Sequence, residues 1–425
     1  MNLYAPRGTK DILPPLSLQW QYVEDKAKEV LALYNYEQTR TPIFEYTELF
    51  QRGIGEATDI VEKEMYTFDD KGGRSITLRP EGTASVVRSF IENKVYGQAQ
   101  PTKYYYLGPM FRYERPQAGR FRQFHQLGVE VFGSNKPSLD AEVITLGLNI
   151  LTELGLEDLE LFINSIGCSG CREEYINVFK KYLDGYRNSL CSDCVKRYER
   201  NPLRVLDCKE DSCKNIIAEA PDILQYLCAD CSNHFQKVKE YLDLLDIGYQ
   251  VDPFLVRGLD YYTNTAFVIK YSGLGAQSEV LGGGRYNDLA EEVGGRSVPG
   301  IGFAMGLERL MLILDKQGIE LPVETGIDLY ITVIGERARK AAFKYMYQLR
   351  NAGFKVEIDY LDRSVKGQMK SADRMNARYT IIIGDNELES GQATIRNMKT
   401  GDQKQISIEE LVERMEKMFS RRMGL

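Results

Sequence analysis

The sequence predicts an α+β protein: a mostly antiparallel sheet flanked by helices, interrupted by a cysteine-rich insertion and followed by a separate α/β domain. Three observations carry this. Strand-like runs at Tyr104–Phe111, Phe124–Phe132, Leu159–Ile163, Ala266–Lys270 and Gly300–Phe303 are in several cases joined by loops and not by crossover helices, which favours antiparallel pairing. Beyond a polar break at Gly318–Gly326 strands and helices alternate, the pattern of an α/β unit. All eight cysteines fall between Cys168 and Cys231.

From the N-terminus, residues 17–34 space their apolar positions as a helix does, an extended segment begins at Thr41-Pro42, and a second helix is predicted near 46–52. The glycine-rich strand from Gly300 leads into a helix that opens near Glu308 and Arg309. In the C-terminal part the elements are a strand Asp328–Ile334, a helix Arg337–Asn351, a strand Lys355–Tyr360, a helix Lys366–Asn376 and a strand Tyr379–Gly384. This gives a first domain over 1–325, with the insertion at about 168–250, and a second over 326–425.

The net charge of −7 excludes a generally basic nucleic-acid binder, but it is uneven. From Gly326 onward there are 18 Lys and Arg against 14 Asp and Glu, so that segment carries +4 and the rest −11. A mildly basic module on an acidic body permits a polyanionic partner. No apolar run approaches a membrane span and the first residues lack a signal peptide's apolar core, so the expected location is cytoplasmic.

Chemistry concentrates at Gly108–Glu130. Arg112, Arg115, Arg120 and Arg122 crowd a predicted hairpin turn, and a planar guanidinium holds phosphate oxygens bidentately. Strand alternation puts Arg112 with Glu114 on one face, and Gln126 with Glu130 on one face with Gly128 between, leaving room for a ligand against the backbone. His125, one of two histidines, falls on the opposite face and reads as a core or loop residue, not a general base. The glycines at 300, 302 and 306 have the wrong spacing for a dinucleotide fingerprint, and no phosphate-loop motif occurs, so a nucleotide site here must be of another kind.

The cysteines form the pairs Cys168/Cys171, Cys191/Cys194, Cys208/Cys213 and Cys228/Cys231, enough for two four-thiolate zinc sites. Which pairs combine is open from spacing alone. Such sites are closed, so the metal would be structural.

Phe111-Arg112-Tyr-Glu114 with its loop resembles motif 2 of class II aminoacyl-tRNA synthetases, Gly302–Arg309 resembles motif 3, and the stretch around Pro42 with the preceding helix resembles the dimer-forming motif 1. Arg257-Gly-Leu-Asp-Tyr-Tyr262, Gly283-Gly-Arg-Tyr286 and Leu78-Arg-Pro-Glu81-Gly-Thr83 are similar to peptides of the histidyl-tRNA synthetase family. The likeness extends over essentially the full sequence, and the part beyond about 326 is similar to an anticodon-binding domain.

The resemblance implies activation of L-histidine with ATP and Mg2+, transfer to histidine tRNA, and a homodimer. It implies that Arg112 grips the α-phosphate and Arg309 the γ-phosphate, while Glu114 positions the adenine. It places the substrate ammonium at Glu81, Thr83 and Gln126 and the imidazole at Glu130 and Tyr262, with Tyr261 alongside and Tyr286 closing the pocket. Arg257 would stabilise the transition state beside the carboxylate and α-phosphate; the competing role is a structural arginine paired with Asp260. The loop residues Arg115, Gln117, Arg120 and Arg122 would meet the tRNA acceptor end. A second reading is a non-catalytic histidine-binding regulatory subunit of histidine biosynthesis, a class that typically lacks the anticodon-binding domain and parts of the catalytic peptides.

Overall fold

The computed structural model describes residues 3–55 and 58–420, in two compact units, Met1–Leu321 and Pro322–Leu425. The strands of the first unit are β1 Glu37–Gln38, β2 Phe44–Tyr46, β3 Tyr66–Asp69, β4 Ser75–Leu78, β5 Thr102–Phe111, β6 Gln123–Phe132, β7 Leu159–Ser165, β8 Gln250–Val251, β9 Thr263–Tyr271, β10 Glu279–Arg285 and β11 Gly300–Gly306. Its helices are α1 Leu16–Leu33, α2 Thr47–Ile54, α3 Thr83–Glu92, α4 Pro137–Glu153, α5 Ser169–Asp184, α6 Ser192–Arg200, α7 Asp211–Ala218, α8 Ala229–Leu244, α9 Leu289–Glu292 and α10 Leu307–Lys316.

Eight strands form one sheet in the order β1-β5-β6-β11-β10-β9-β7-β8, antiparallel except for the short edge strands β1 and β8, which pair parallel to β5 and β7. Alternation divides its faces. Leu127, Val129 and Val131 of β6 point into the main core, built with Val23, Ala27, Val30 and Leu31 of α1 and the apolar face of α4. Gln126, Gly128 and Glu130 therefore face the other way, toward the functional side.

That side is smooth because its registered positions are nearly bare. Gly282 of β10, Ala304 of β11 and Gly128 of β6 lie in one cross-strand row ending at Tyr106 of β5, and Gly284, Gly302 and Glu130 form the next. The predicted space over Gly128 is not left for a ligand: a β-carbon there would lie 2.3 Å from the ring of Tyr106, as would one at Gly82. The phenol occupies the room that the two glycines free.

The strand β5 ends at Phe111 as predicted, so the strand alternation used to place Arg112 and Glu114 on one face does not apply beyond it. It ends there because Glu114 N–H turns back to Arg112 C=O at 2.8 Å, Tyr113 N–H goes to Glu64 C=O, and Pro116 has no N–H to continue a ladder. The insertion, for which the sequence predicts cysteine pairs but no elements, is helical (α5 to α8). It packs Tyr175, Phe179 and Leu183 with Val205, Ile216 and Ile223 into an apolar cluster continuous with Val86, Val87 and Phe90 of α3.

The second unit is a five-stranded sheet, Val356–Ile358, Leu329–Val333, Tyr379–Ile383, Gln392–Asn397 and Gln403–Ser407 in that order. The first three are parallel, joined through the helices Glu336–Asn351 and Val365–Arg374; the last two add an antiparallel hairpin that the sequence analysis does not predict.

Candidate active site

A cleft of about 320 Å3 opens over the glycine-bare face, bounded by β6, β10, β11, the loop after β5 and the segment Val256–Tyr262. It gathers Glu81, Thr83, Arg112, Glu114, Arg120, Gln126, Arg257, Tyr261, Tyr262, Tyr286 and Arg309 from stretches far apart in the sequence.

At its inner end Glu81 lines the cleft, while Glu130 lies behind Thr83 and Tyr286 and not on the cleft wall; the two are almost fully buried, at 3% and 1% exposure. Glu81 accepts the backbone N–H groups of Thr83 and Ala84 at 2.6 and 2.9 Å, capping the start of α3. Glu130 accepts the hydroxyl of Thr83 at 2.6 Å and that of Tyr286. Burial raises the pKa of Glu81 and pushes that of Glu130 well above the carboxylate range, partly opposed by these hydrogen bonds. Among the described residues neither carboxylate has an ion-pair partner within 4.0 Å. Burial thus disfavours charge on both groups in the empty chamber, and a cationic or N–H-bearing ligand is what would restore it.

Tyr261, Tyr262 and Tyr286 wall this chamber, with ring centroids 4.7 Å apart for the first two and 5.7 Å between Tyr261 and Tyr286. Tyr286 is engaged with Glu130 and packs over Gly300, so it holds a carboxylate and is not a free lid. The buried Tyr106 hydroxyl has no hydrogen-bond partner of good geometry although Thr83 lies close by, and Gln126 Oε1 is likewise unpaired. Unpaired buried polar atoms at a cavity wall are where ligand groups would be satisfied.

The middle of the cleft belongs to Arg257. Its guanidinium lies flat on Gly282, where a β-carbon would come within 2.1 Å, and donates Nη2 to Glu279 Oε1 at 2.7 Å, leaving Nε buried and unpaired. The pairing with Asp260 suggested by sequence proximity does not form: Asp260 instead accepts Asn201 Nδ2 at 2.8 Å and packs against Gly55. Desolvation works against the charge on Arg257, but Glu279 outweighs it and the guanidinium stays firmly protonated.

At the outer end Arg112 Nε donates to Pro80 C=O at 2.8 Å and its head lies 5.3 Å from the Phe124 ring, while Arg309, in the first turn of α10, donates Nη1 to Glu279 C=O at 2.6 Å. Glu114 stands between Arg112 (3.7 Å) and Arg120 (3.3 Å). Arg115 and Gln117 project to solvent on the loop; Arg122 points away from the cleft, stacked 3.7 Å over Tyr113. His125 sits behind the sheet beside Trp20 with Nδ1 2.9 Å from Glu308, as alternation predicts. Tyr106 and Glu279 escape sequence reasoning, since only the strand register brings them to this face.

The cysteines resolve into two clusters, Cys168/Cys171/Cys228/Cys231 and Cys191/Cys194/Cys208/Cys213, with ligand atoms within 4.8 Å of one another in each. None is in a disulfide. Sulfurs at 3.6 Å (Cys168–Cys171) and 3.8 Å (Cys191–Cys208) match the spacing of about 3.8 Å that tetrahedral Zn–S bonds of roughly 2.3 Å require. N–H groups of Cys228 and Cys191 and the amide of Asn264 already donate to cluster sulfurs at 3.1 to 3.3 Å, the support thiolate ligands need. The residues fit a metal.

An antiparallel sheet with arginines gathered over one face and no phosphate loop, followed by a mixed-sheet unit, is the architecture of a class II aminoacyl-tRNA synthetase. The histidyl-tRNA synthetase profile matches residues 8–173 and 189–310, and the anticodon-binding-domain profile matches 328–418. The protein is 67% identical to a histidine–tRNA ligase of Halothermothrix orenii over 98% of its length and all of that protein's, and 54% identical to one of Caldanaerobacter subterraneus over 96% of its own length and 98% of that protein's. Among solved structures, apo histidyl-tRNA synthetase of S. aureus is similar at a TM-score of 0.83 and 46% identity, over 97% of the present sequence and 100% of the S. aureus one. The protein belongs to the histidyl-tRNA synthetase family.

Proposed function

We propose that the cleft joins histidine to ATP and then to histidine tRNA, with the inner chamber reading the amino acid and the outer arginines holding the nucleotide. The observation that carries this is a pair of buried carboxyl groups without a charged partner, Glu81 on the wall and Glu130 directly behind Thr83 and Tyr286, at one end of a cleft whose other end carries Arg112, Arg120 and Arg309. Glu81, Thr83 and Gln126 receive the ammonium. Glu130, an acceptor already steadied by two hydroxyls, takes the imidazole N–H, and Tyr262 serves the other ring nitrogen, with Tyr261 and Tyr286 enclosing the ring. An amino acid lacking one of these groups leaves a buried polar atom unpaired, which gives selectivity an apolar pocket cannot reach.

Mg2+–ATP enters as substrate. Arg112 binds the α-phosphate, Arg309 the γ-phosphate, and Glu114 the adenine amine. The histidine carboxylate attacks the α-phosphorus in line and pyrophosphate leaves; Arg257, held between chamber and arginines, neutralises the charge that builds on the phosphorus. The terminal ribose hydroxyl of the tRNA then attacks the adenylate carbonyl and AMP departs. Catalysis is by positioning and charge, with no covalent enzyme intermediate. Arg115 and Gln117, exposed on the loop, with Arg120 and Arg122, meet the acceptor end, and the unit from about 326 reads the anticodon, whose unpaired bases are open to stacking and edge contacts.

The two cysteine clusters hold structural zinc. The protein works in the cytoplasm as a homodimer; its exposed Ile43, Phe44, Tyr46 and Phe68 around the β2–β4 sheet support a covered apolar face there. Among the described residues no helix is long and apolar enough to cross a membrane.

The deciding experiment is ATP–pyrophosphate exchange with a panel of amino acids, followed by charging of histidine tRNA, with metal content and mass in solution measured on the same sample. Exchange with histidine alone, followed by charging, is expected. Histidine binding without exchange would indicate a regulatory subunit instead, against which stand the presence of Arg112, Arg257 and Arg309 in one cleft and the anticodon-binding match.

A further inference from the structure

The Cys191/Cys194/Cys208/Cys213 cluster lies outside the cleft, yet the loop between its two cysteine pairs touches the catalytic segment from behind. Helix α6 starts at Cys191, which caps it, and a tight turn over Pro202–Val205 leads back to Cys208. Both ends of this loop are thus fastened at one point. Two of its residues reach the segment that carries Arg257. Arg204, only 7% exposed, donates Nη1 to the backbone C=O of Arg257 at 3.3 Å, and Asn201 donates Nδ2 to Asp260 at 2.8 Å. Arg204 is itself steadied: its carbonyl accepts Arg197 Nη1 at 3.3 Å, and Asp59 stands 3.8 Å from its Nη2. On either side of Cys208, Asp207 and Lys209 line the cleft.

We propose that Arg204 is a positioning residue for Arg257, and that metal in this cluster, by closing the loop, keeps Arg204 and Asn201 seated against residues 257–260. Closing a loop at a metal lowers the number of arrangements open to it, and small errors at a reacting centre are expensive, about 100-fold for a 1 Å displacement. A metal without an open coordination position would in this way set the rate of adenylate formation. The inference rests on the transition-state role given to Arg257 above.

The test uses the full-length protein. Arg204→Ala is expected to lower kcat for histidine-dependent exchange roughly tenfold or more while the KM and the calorimetric Kd for histidine stay within about twofold, since the chamber is untouched. Arg204→Lys keeps a buried cation and a donor; it is expected to recover part of kcat, and it is the variant to read if the alanine variant does not fold. Cys194→Ser with Cys213→Ser is expected to lose one of two zinc equivalents by atomic emission and to show the same kcat fall. Chelator-stripped wild type should behave likewise and recover with Zn2+ alone. Exchange within twofold of wild type in Arg204→Ala, or in protein shown to have lost the metal, overturns the proposal. An Arg257→Ala variant run beside them that exchanges normally removes the role of Arg257 itself, a failure of the earlier reading and separable from this one.

Discussion

Gly282→Ala is the sharpest test of how the cleft works, because its consequence is fixed by distance. A β-carbon at this position would lie 2.1, 2.4 and 2.6 Å from Nη2, Cζ and Nη1 of Arg257. To reach ordinary contact at 3.4 Å, the guanidinium must withdraw by about 1.3 Å. The bond to Glu279 at 2.7 Å cannot survive unchanged, and the donors leave the place from which the proposed mechanism has them neutralise charge on the phosphorus. A displacement of this size costs on the order of 100-fold in rate, about 2.7 kcal/mol. The strand should suffer little: Gly282 has no positive φ, and alanine in an extended segment loses less conformational entropy than glycine. The assay is ATP–pyrophosphate exchange at saturating histidine and ATP, paired with a thermal melt. The expected result is a loss of kcat near 100-fold with a melting temperature within a few degrees of wild type. Exchange within threefold of wild type by a folded Gly282→Ala variant would refute the argument that Arg257 acts from its seat on this glycine.

Other outcomes follow from the same geometry. Arg257→Ala should leave histidine binding partly intact and reduce adenylate formation by roughly 100- to 1,000-fold, as loss of a preorganised donor does; single-turnover kinetics with calorimetric binding would show it. Glu130→Gln turns one of the two oxygens that accept from Thr83 and Tyr286 into an NH2 donor, and the loss of a charge-assisted hydrogen bond of about 1.5–3 kcal/mol should appear as a tenfold to hundredfold weaker Kd for histidine. Asp140, fully buried, accepts Arg285 Nε at 2.8 Å, Thr265 at 2.6 Å and His234 Nε2 at 2.8 Å. Asp140→Asn leaves Arg285 an uncompensated buried cation and should cost about 3 kcal/mol in urea denaturation. Although burial raises the pKa of Asp140, Arg285 and His234 more than offset it and hold it below the ordinary value. The ion pair's contribution is therefore complete above an unfolded pKa of about 3.9 and is lost only as pH falls through the lower folded value, so the gap between wild type and Asp140→Asn should be level from about pH 8 to 5 and close below about 4.

What the sequence makes legible here is local. The β5–β6 hairpin can be read because both strands are long and a basic, glycine-containing turn separates them, and α1 because Trp20, Val23, Ala27, Val30 and Leu31 recur at helical spacing. The passage from bare strand to helix at Gly306 is equally plain, though β11 runs three residues beyond the predicted end at Phe303. Features set by register are not legible. Arg257 takes Glu279 in place of Asp260 because β10 brings Glu279 alongside, a fact no sequence distance contains. Gly128 reads as space for a ligand until its cross-strand partner is known to be Tyr106. The cysteine pairs combine outer with outer and inner with inner because α5 and α8 start side by side at the base of the insertion, their first residues following Cys168 and Cys228.

Tyr106, seated between two glycines, makes the depth of the chamber separable from its chemistry. The phenol fills space that Gly82 and Gly128 vacate, close to the buried Glu81 and Glu130. Shortening it deepens the chamber without touching Glu81 or Glu130, and either glycine can then accept a β-carbon to refill part of the hollow. Three positions on three separate segments therefore act as one adjustable floor, and an engineer seeking to admit a bulkier histidine analogue could change the depth of the pocket while leaving its polar walls intact.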